Sequence, residues 1–154
     1  FISVHILGLY EPAMEGHRNL FFFTLLIAAM AGNVGVQSSA IIVQGIANNA
    51  LSGSLLKRLI KELSLSLLNG TILALILILG SHFILGIDYL TGFTVSLALL
   101  SVIITASLIG TFIPIILDKY GIDPALATGP FITTSNDILG IIIFFSIAKV
   151  ILGF

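Results

Sequence analysis

Four long apolar spans constrain the fold of this chain more than any other feature. They cover residues 20–47, 63–85, 90–117 and 125–152. About 20 apolar residues in a helix cross the hydrocarbon core of a bilayer, so each span is long enough, and the longer ones imply tilt or extension beyond the lipid. Because lipid offers no partner to backbone polar groups, the spans predict transmembrane helices.

The composition supports a membrane protein and excludes several other classes. Of the 154 residues, 58% are hydrophobic and 8% are charged, whereas soluble domains carry about 25% charged residues. The chain has no cysteine, so it can form neither disulfides nor thiolate metal sites. A net charge of −1 opposes a nucleic-acid partner. The sequence lacks H-E-x-x-H, G-x-S-x-G and a second acid within a span, so we do not expect an enzyme.

The segments between the spans predict loops and an orientation. Residues 1–10 are too short to cross a bilayer, and we favour the end of a truncated helix over an interfacial segment. The loop at 48–62 carries Lys57, Arg58 and Lys61, and the loop at 118–124 carries Lys119. Basic loops stay in the cytoplasm, which predicts that the C-terminus is outside. We expect a multi-pass protein of the plasma (inner) membrane.

Two shorter patterns refine this outline. Residues 55–62 are expected to form an amphipathic lead-in to the second span. Asp123 followed by Pro124 predicts the start of the last helix, because Asp caps helices and Pro suits their first turn. Pro130, further along, is expected to remove one hydrogen bond of that helix and to free a backbone carbonyl about one turn earlier.

Asp137 is a lone carboxylate inside the last span, next to Thr133, Thr134, Ser135 and Asn136. A charge at bilayer depth costs at least about 2.5–3.5 kcal/mol on insertion scales, so such residues usually face the bundle interior or a water-filled path. Carboxylate, hydroxyl and amide oxygens suit hard cations such as Mg²⁺. The alternative is a buried, hydrogen-bonded carboxyl group without a transport role.

The first span carries a second concentration of polar and small residues. Asn33 and Gln37 lie four residues apart and share a helix face, while Gly32 and Gly35 permit close approach of a neighbouring backbone. Amides and small residues also hold membrane helices together without any further role, and that reading stays open for Asn33.

Two motifs resemble those of the MgtE family, bacterial magnesium channels with related eukaryotic solute carriers. They are Gly32-Asn33-Val34-Gly35-Val36-Gln37-Ser38 and the segment from Asp123 to Asp137, DPALATGPFITTSND. The resemblance extends from about Tyr10 onward. It implies an all-α bundle of about five transmembrane helices per subunit, the first one truncated here. It also implies a homodimeric pore lined by the second and fifth helices, in a domain that covers residues 1–154 without the family's cytosolic regulatory domains.

The resemblance also implies a transport site. Asp137 matches the membrane-embedded Mg²⁺ aspartate, with the backbone carbonyl of Thr133 and the amide of Asn33 beside it. Asn136, Thr134, Gln37 and Gly129 are expected along the same path. The implied function is passive transport of Mg²⁺ or other divalent cations. An ion-coupled exchanger of the same fold, and a non-transporting anchor or dimerisation bundle, remain the alternatives.

Overall fold

A computed structural model describes residues 2–11, 16–50 and 54–153. Parts of two predicted loops, 12–15 and 51–53, and the two terminal residues lie outside the described residues. The helices are α1 (Ile2–Leu9), α2 (Arg18–Ala47), α3 (Leu55–Phe83), α4 (Tyr89–Lys119), the 3₁₀ helix η1 (Pro124–Ala127) and α5 (Pro130–Leu152). Four segments, α2, α3, α4 and η1 with α5, are long and apolar enough to cross a membrane. The predicted all-α, multi-pass architecture is confirmed.

Helix α4 is the centre of the bundle. Its buried residues include Val95, Leu99, Val102 and Ile103, and both α2 and α3 pack along it. Helix α5 packs against α2 and α4 together. By contrast, α2 and α3 make little contact with each other, so a groove remains between them with α4 as its floor.

The apolar core lies where α2, α4 and α5 meet. Leu20, Ile27, Phe144 and Phe145 are fully buried there. Tyr10, just after α1, stacks on Phe145 with ring centroids 4.6 Å apart. Helix α1 therefore belongs to the bundle through α5.

The helix ends follow the local sequence closely. The side chain of Asp88 accepts the Thr91 N–H at 2.9 Å and caps α4. Ser54 caps α3, which begins at Leu55, so the predicted amphipathic lead-in is the first part of one continuous helix. A side-chain cap satisfies one of the backbone N–H groups that a helix start leaves unpaired.

The start of α5 differs from the sequence-based prediction. Asp123 does cap a helix, accepting the Ala125 N–H at 2.9 Å, but that helix is the short η1. The chain then turns at Gly129, whose φ of +67° suits a residue without a Cβ, and α5 starts at Pro130. The prediction that Pro130 removes a hydrogen bond from within the helix is therefore wrong, because at the first helical position its missing N–H would have had no helical partner.

Candidate cation site

Asp137 lies in the contact between α2 and α5, directly against Gly32. A Cβ built on Gly32 would lie 2.8 Å from Asp137 Oδ1 and 3.1 Å from Thr133 Cγ2. The glycine therefore creates the space that the carboxylate occupies. The two motifs of the sequence, far apart along the chain, come together at this point, with Asp137 half-buried.

The threonines of α5 differ in orientation. Thr133 is half-buried, and its hydroxyl donates to the Gly129 carbonyl at 3.1 Å, so it bonds back to its own helix. Because α5 is continuous here, the Thr133 carbonyl accepts one backbone hydrogen bond of the helix. Its second lone pair is available to another donor or to a cation. Thr134, one residue on, is exposed at the outside of the bundle.

Asn136 does not lie at the contact of Asp137 with Gly32; it is buried between α2 and α5, at Gly35. Its side chain is 1% exposed and packs on Gly35, where any Cβ would overlap the amide. Neither Oδ1 nor Nδ2 has a hydrogen-bond partner within the described residues. A buried amide without hydrogen-bond partners is costly, so Asn136 is a polar group that a single copy leaves unsatisfied within the described residues.

A stripe of exposed polar and small residues runs along α2 away from the core. We call it the α2 stripe; its members are Ala29, Asn33, Gln37, Ala40 and Gln44. Their spacing of three and four residues places them on one side of the helix. Asn33 and Gln37 thus face outward from this bundle, one residue away from the glycine that contacts Asp137.

Close backbone packing holds α2 in register with the rest of the site. A Cβ on Gly110 of α4 would overlap the Gly35 carbonyl oxygen, so the two helices touch through their backbones. Such contacts between small residues are typical of membrane helices. One turn further along α2, the buried Ser39 hydroxyl donates to the Ala127 carbonyl at 2.7 Å and ties η1 to α2. This bond helps to position the turn that starts α5.

The predicted site residues therefore divide into three groups. Asp137 and Thr133 meet at Gly32. Asn33, Gln37 and Thr134 are exposed. Asn136 is buried against Gly35, and Gly129 forms the turn before α5. Within the described residues, no three His, Asp or Glu side chains cluster closely enough to hold a metal ion. At the contact with Gly32, one copy thus offers a single carboxylate, that of Asp137, which suits an ion that keeps most of its water.

Glu62 is a polar residue of the interior to which the sequence analysis assigned no role. Its Oε1 accepts hydrogen bonds from Ser38 at 2.7 Å and from Ser107, which joins α2, α3 and α4. In the sequence Glu62 follows Lys57, Arg58 and Lys61, so it looks like part of a charged helix end. In the sequence, the signal for this contact is a serine in each of two other spans, Ser38 and Ser107.

Comparison with known proteins identifies the family. The MgtE family model, described as a divalent cation transporter, matches residues 24–147. The chain belongs to the MgtE family of divalent cation transporters. It is 37% identical to the magnesium transporter MgtE of Bacillus subtilis (strain 168) over 148 residues, which is 96% of this chain and 33% of that protein.

Two further MgtE proteins are similar over the same extent. The magnesium transporter of Enterococcus faecalis is 34% identical over 99% of this chain and 34% of its own length. That of Thermus thermophilus is 30% identical over 98% of this chain and 33% of its own length. The chain thus spans about a third of the MgtE relatives it matches. The matched region contains both Gly32 and Asp137, which the fold brings into contact.

Proposed function

We propose that this protein conducts Mg²⁺ passively across the membrane, along a path between two copies of the chain, with Asp137 as the charged ligand. The observation that carries the proposal is the contact of Asp137 with Gly32 in a member of a divalent cation transporter family. The Thr133 carbonyl supplies a neutral oxygen near the same point, and the Asn33 amide faces outward one residue from Gly32, towards the proposed path. The orientation with an external C-terminus belongs to this proposal.

Two copies account for the exposed polar residues of α2. At bilayer depth, the amides of Asn33 and Gln37 would otherwise face lipid, where an unpaired amide costs several kcal/mol, roughly 2–7. A second copy packed near the α2 stripe would turn it towards a water-filled path. Polar residues inside a membrane usually line such paths or pair with one another.

The same arrangement favours a divalent ion. Two Asp137 carboxylates near one axis repel each other when no ion is bound, and a divalent cation relieves that repulsion better than a monovalent one. Mg²⁺ dehydrates reluctantly, so we expect the carboxylates to hold it largely through its water. Moving its two charges through 100 mV yields about 4.6 kcal/mol, which is sufficient driving force without a coupled ion.

The test is Mg²⁺ flux into proteoliposomes, followed with a Mg²⁺-sensitive dye inside the vesicles. Asp137→Asn should reduce the flux about 10- to 100-fold, because a charged ligand interaction is worth roughly 1.5–3 kcal/mol. Asp118→Asn is the matched control. It neutralises an exposed carboxylate at the end of α4 and should leave the flux unchanged.

The flux assay also separates a channel from an exchanger. Flux through the unaltered chain should persist without any Na⁺ or H⁺ gradient and should follow the membrane potential. Normal flux in a folded Asp137→Asn protein would refute the role of the carboxylate, and flux that requires an ion gradient would refute passive conduction.

A further inference from the structure

A cavity with several polar residues in its lining lies on the opposite side of α2 from Asp137. It occupies the groove between α2 and α3 and has a volume of about 460 Å³. Apolar side chains such as Val34, Leu65 and Ile103 form part of its wall. Its polar lining consists of Gln37, Ser38, Glu62, Ser66, Asn69 and Ser107. Two other grooves of the described bundle are lined almost wholly by apolar side chains, so the polar groups distinguish this one.

The cavity contains a preorganised carboxylate. Ser38 is buried and Ser107 is 1% exposed, and both donate to Glu62 Oε1. The two hydroxyl oxygens are 3.3 Å apart. Because both protons point at one oxygen, the hydroxyl lone pairs and Oε2 remain as further acceptors in the same place. Three helices thus bring oxygen atoms together around one negative charge.

The position of Glu62 makes this negative charge significant. It lies seven residues after Leu55, about 10 Å along α3, in the first part of the helix, before the apolar span that begins at residue 63. The two serines hold it between the helices, where a carboxylate is costly unless it is paired or bound to a metal ion. Two serine hydroxyls stabilise the charge but do not neutralise it, so the site favours a cationic ligand.

The number of ligands and the volume together indicate a hydrated divalent ion. Mg²⁺ usually keeps several waters and is held by one or two carboxylates. A water takes up about 30 Å³ in the liquid, so the cavity has room for an ion with its first shell. The amides of Gln37 and Asn69 supply oxygens that such a shell can contact.

We propose that Glu62, with Ser38 and Ser107, binds a hydrated divalent cation at a second site, separate from that at Asp137. The inference rests on the proposed function in taking the bound ion to be the transported one. Gln37 connects the two places, since it lines the cavity and also belongs to the α2 stripe. Ser38 follows Gly32 by six residues, so the second site lies about 9 Å further along α2.

The experiment counts bound ions instead of measuring transport. The chain in lipid nanodiscs is titrated with Mn²⁺, and the free ion is followed by its electron paramagnetic resonance signal, with Mg²⁺ as competitor. Glu62→Gln keeps an oxygen that can accept from both serines but removes the charge. We expect it to lose one Mg²⁺-displaceable Mn²⁺ per chain, while Asp137→Asn retains that ion.

A second variant and a control keep the result interpretable. Ser107→Ala leaves the carboxylate but removes one hydroxyl, and should weaken the same Mn²⁺ about 10-fold, the equivalent of about 1.4 kcal/mol. Asp118→Asn should bind as the unaltered chain does. Equal Mn²⁺ binding in Glu62→Gln and the unaltered chain would overturn the proposal, as would loss of this ion in Asp137→Asn. Both results are measured as Mn²⁺ binding, so they do not depend on whether Asp137→Asn still conducts Mg²⁺. Failure of the transport proposal is detected separately, in the flux assay.

Discussion

At the scale of single residues, the site depends on the lack of a side chain at Gly32 as much as on the carboxylate of Asp137. Gly32 leaves the space in which Asp137 lies, and its replacement by alanine would place a methyl group 2.8 Å from Oδ1. The group that must move is the end of a side chain, not a backbone, so the helices keep their packing. We expect Gly32→Ala to displace the carboxylate and lower Mg²⁺ flux several-fold in proteoliposomes, with an unfolding temperature close to that of the unaltered chain.

A matched glycine tests whether this effect is local. Gly80 also lies inside a long helix, but a Cβ there would have nothing within 4 Å. Gly80→Ala should therefore leave the flux intact and, since alanine favours a helix over glycine by about 1 kcal/mol, should not destabilise the protein. If both variants lose flux alike, or if Gly32→Ala transports normally, steric control of Asp137 by Gly32 is excluded.

At the scale of helices, the sequence predicts the spans well because length and hydropathy determine them. The observed bounds of α2 and α4 lie within two residues of those predicted. The start of α5 could not be predicted in the same way, since Asp123-Pro124 is a valid helix start whichever helix follows. The turn at Gly129 depends on η1 being held to α2 by the Ser39 hydroxyl, a contact between distant parts of the chain. Glu62 was missed for a similar reason, because its environment exists only where three helices meet.

The cap of α4 gives a prediction for pH. Hydrogen bonds from the Thr91 N–H hold the pKa of Asp88 below its ordinary value of 3.8. Because the pKa is lower in the folded protein, this stabilisation is complete above the unfolded pKa and is lost as the pH falls through the folded one. Asp88→Ala should cost about 1 kcal/mol at pH 7, the usual value of a cap, measured as a lower unfolding temperature in mild detergent.

Asparagine separates the charge of Asp88 from its geometry. Asp88→Asn keeps an acceptor for the Thr91 N–H, and Asn caps helices about as well as Asp. It should therefore match the unaltered chain near neutral pH and lack the part of the acid destabilisation that begins below about pH 4. An Asp88→Ala protein as stable as the unaltered chain at pH 7 would show that the cap contributes nothing to α4.

At the scale of the whole molecule, the α2 stripe is the surface that a single copy leaves unexplained. Helix α3 faces outward with large apolar residues such as Leu75, as a lipid-facing helix should, whereas α2 exposes amides and alanines on one side. A second copy against this side would bring equivalent positions of the two chains close together. Since the chain has no native cysteine, a single introduced cysteine reports on that proximity without interference.

Ala40→Cys is the suitable probe, because Ala40 lies on the α2 stripe, is exposed and leaves Asn33 and Gln37 intact. In native-like membranes we expect oxidation or a short bis-maleimide to link two copies through this residue. A disulfide needs Cα atoms within about 7 Å, so the longer reagent should also capture looser packing around a water-filled path. Leu75→Cys, on the apolar side of α3, should stay monomeric under the same conditions. Equal linking at both positions would indicate random collisions in the membrane. The absence of any link through Ala40→Cys would place the second copy elsewhere and remove the structural basis for a path between two α2 helices.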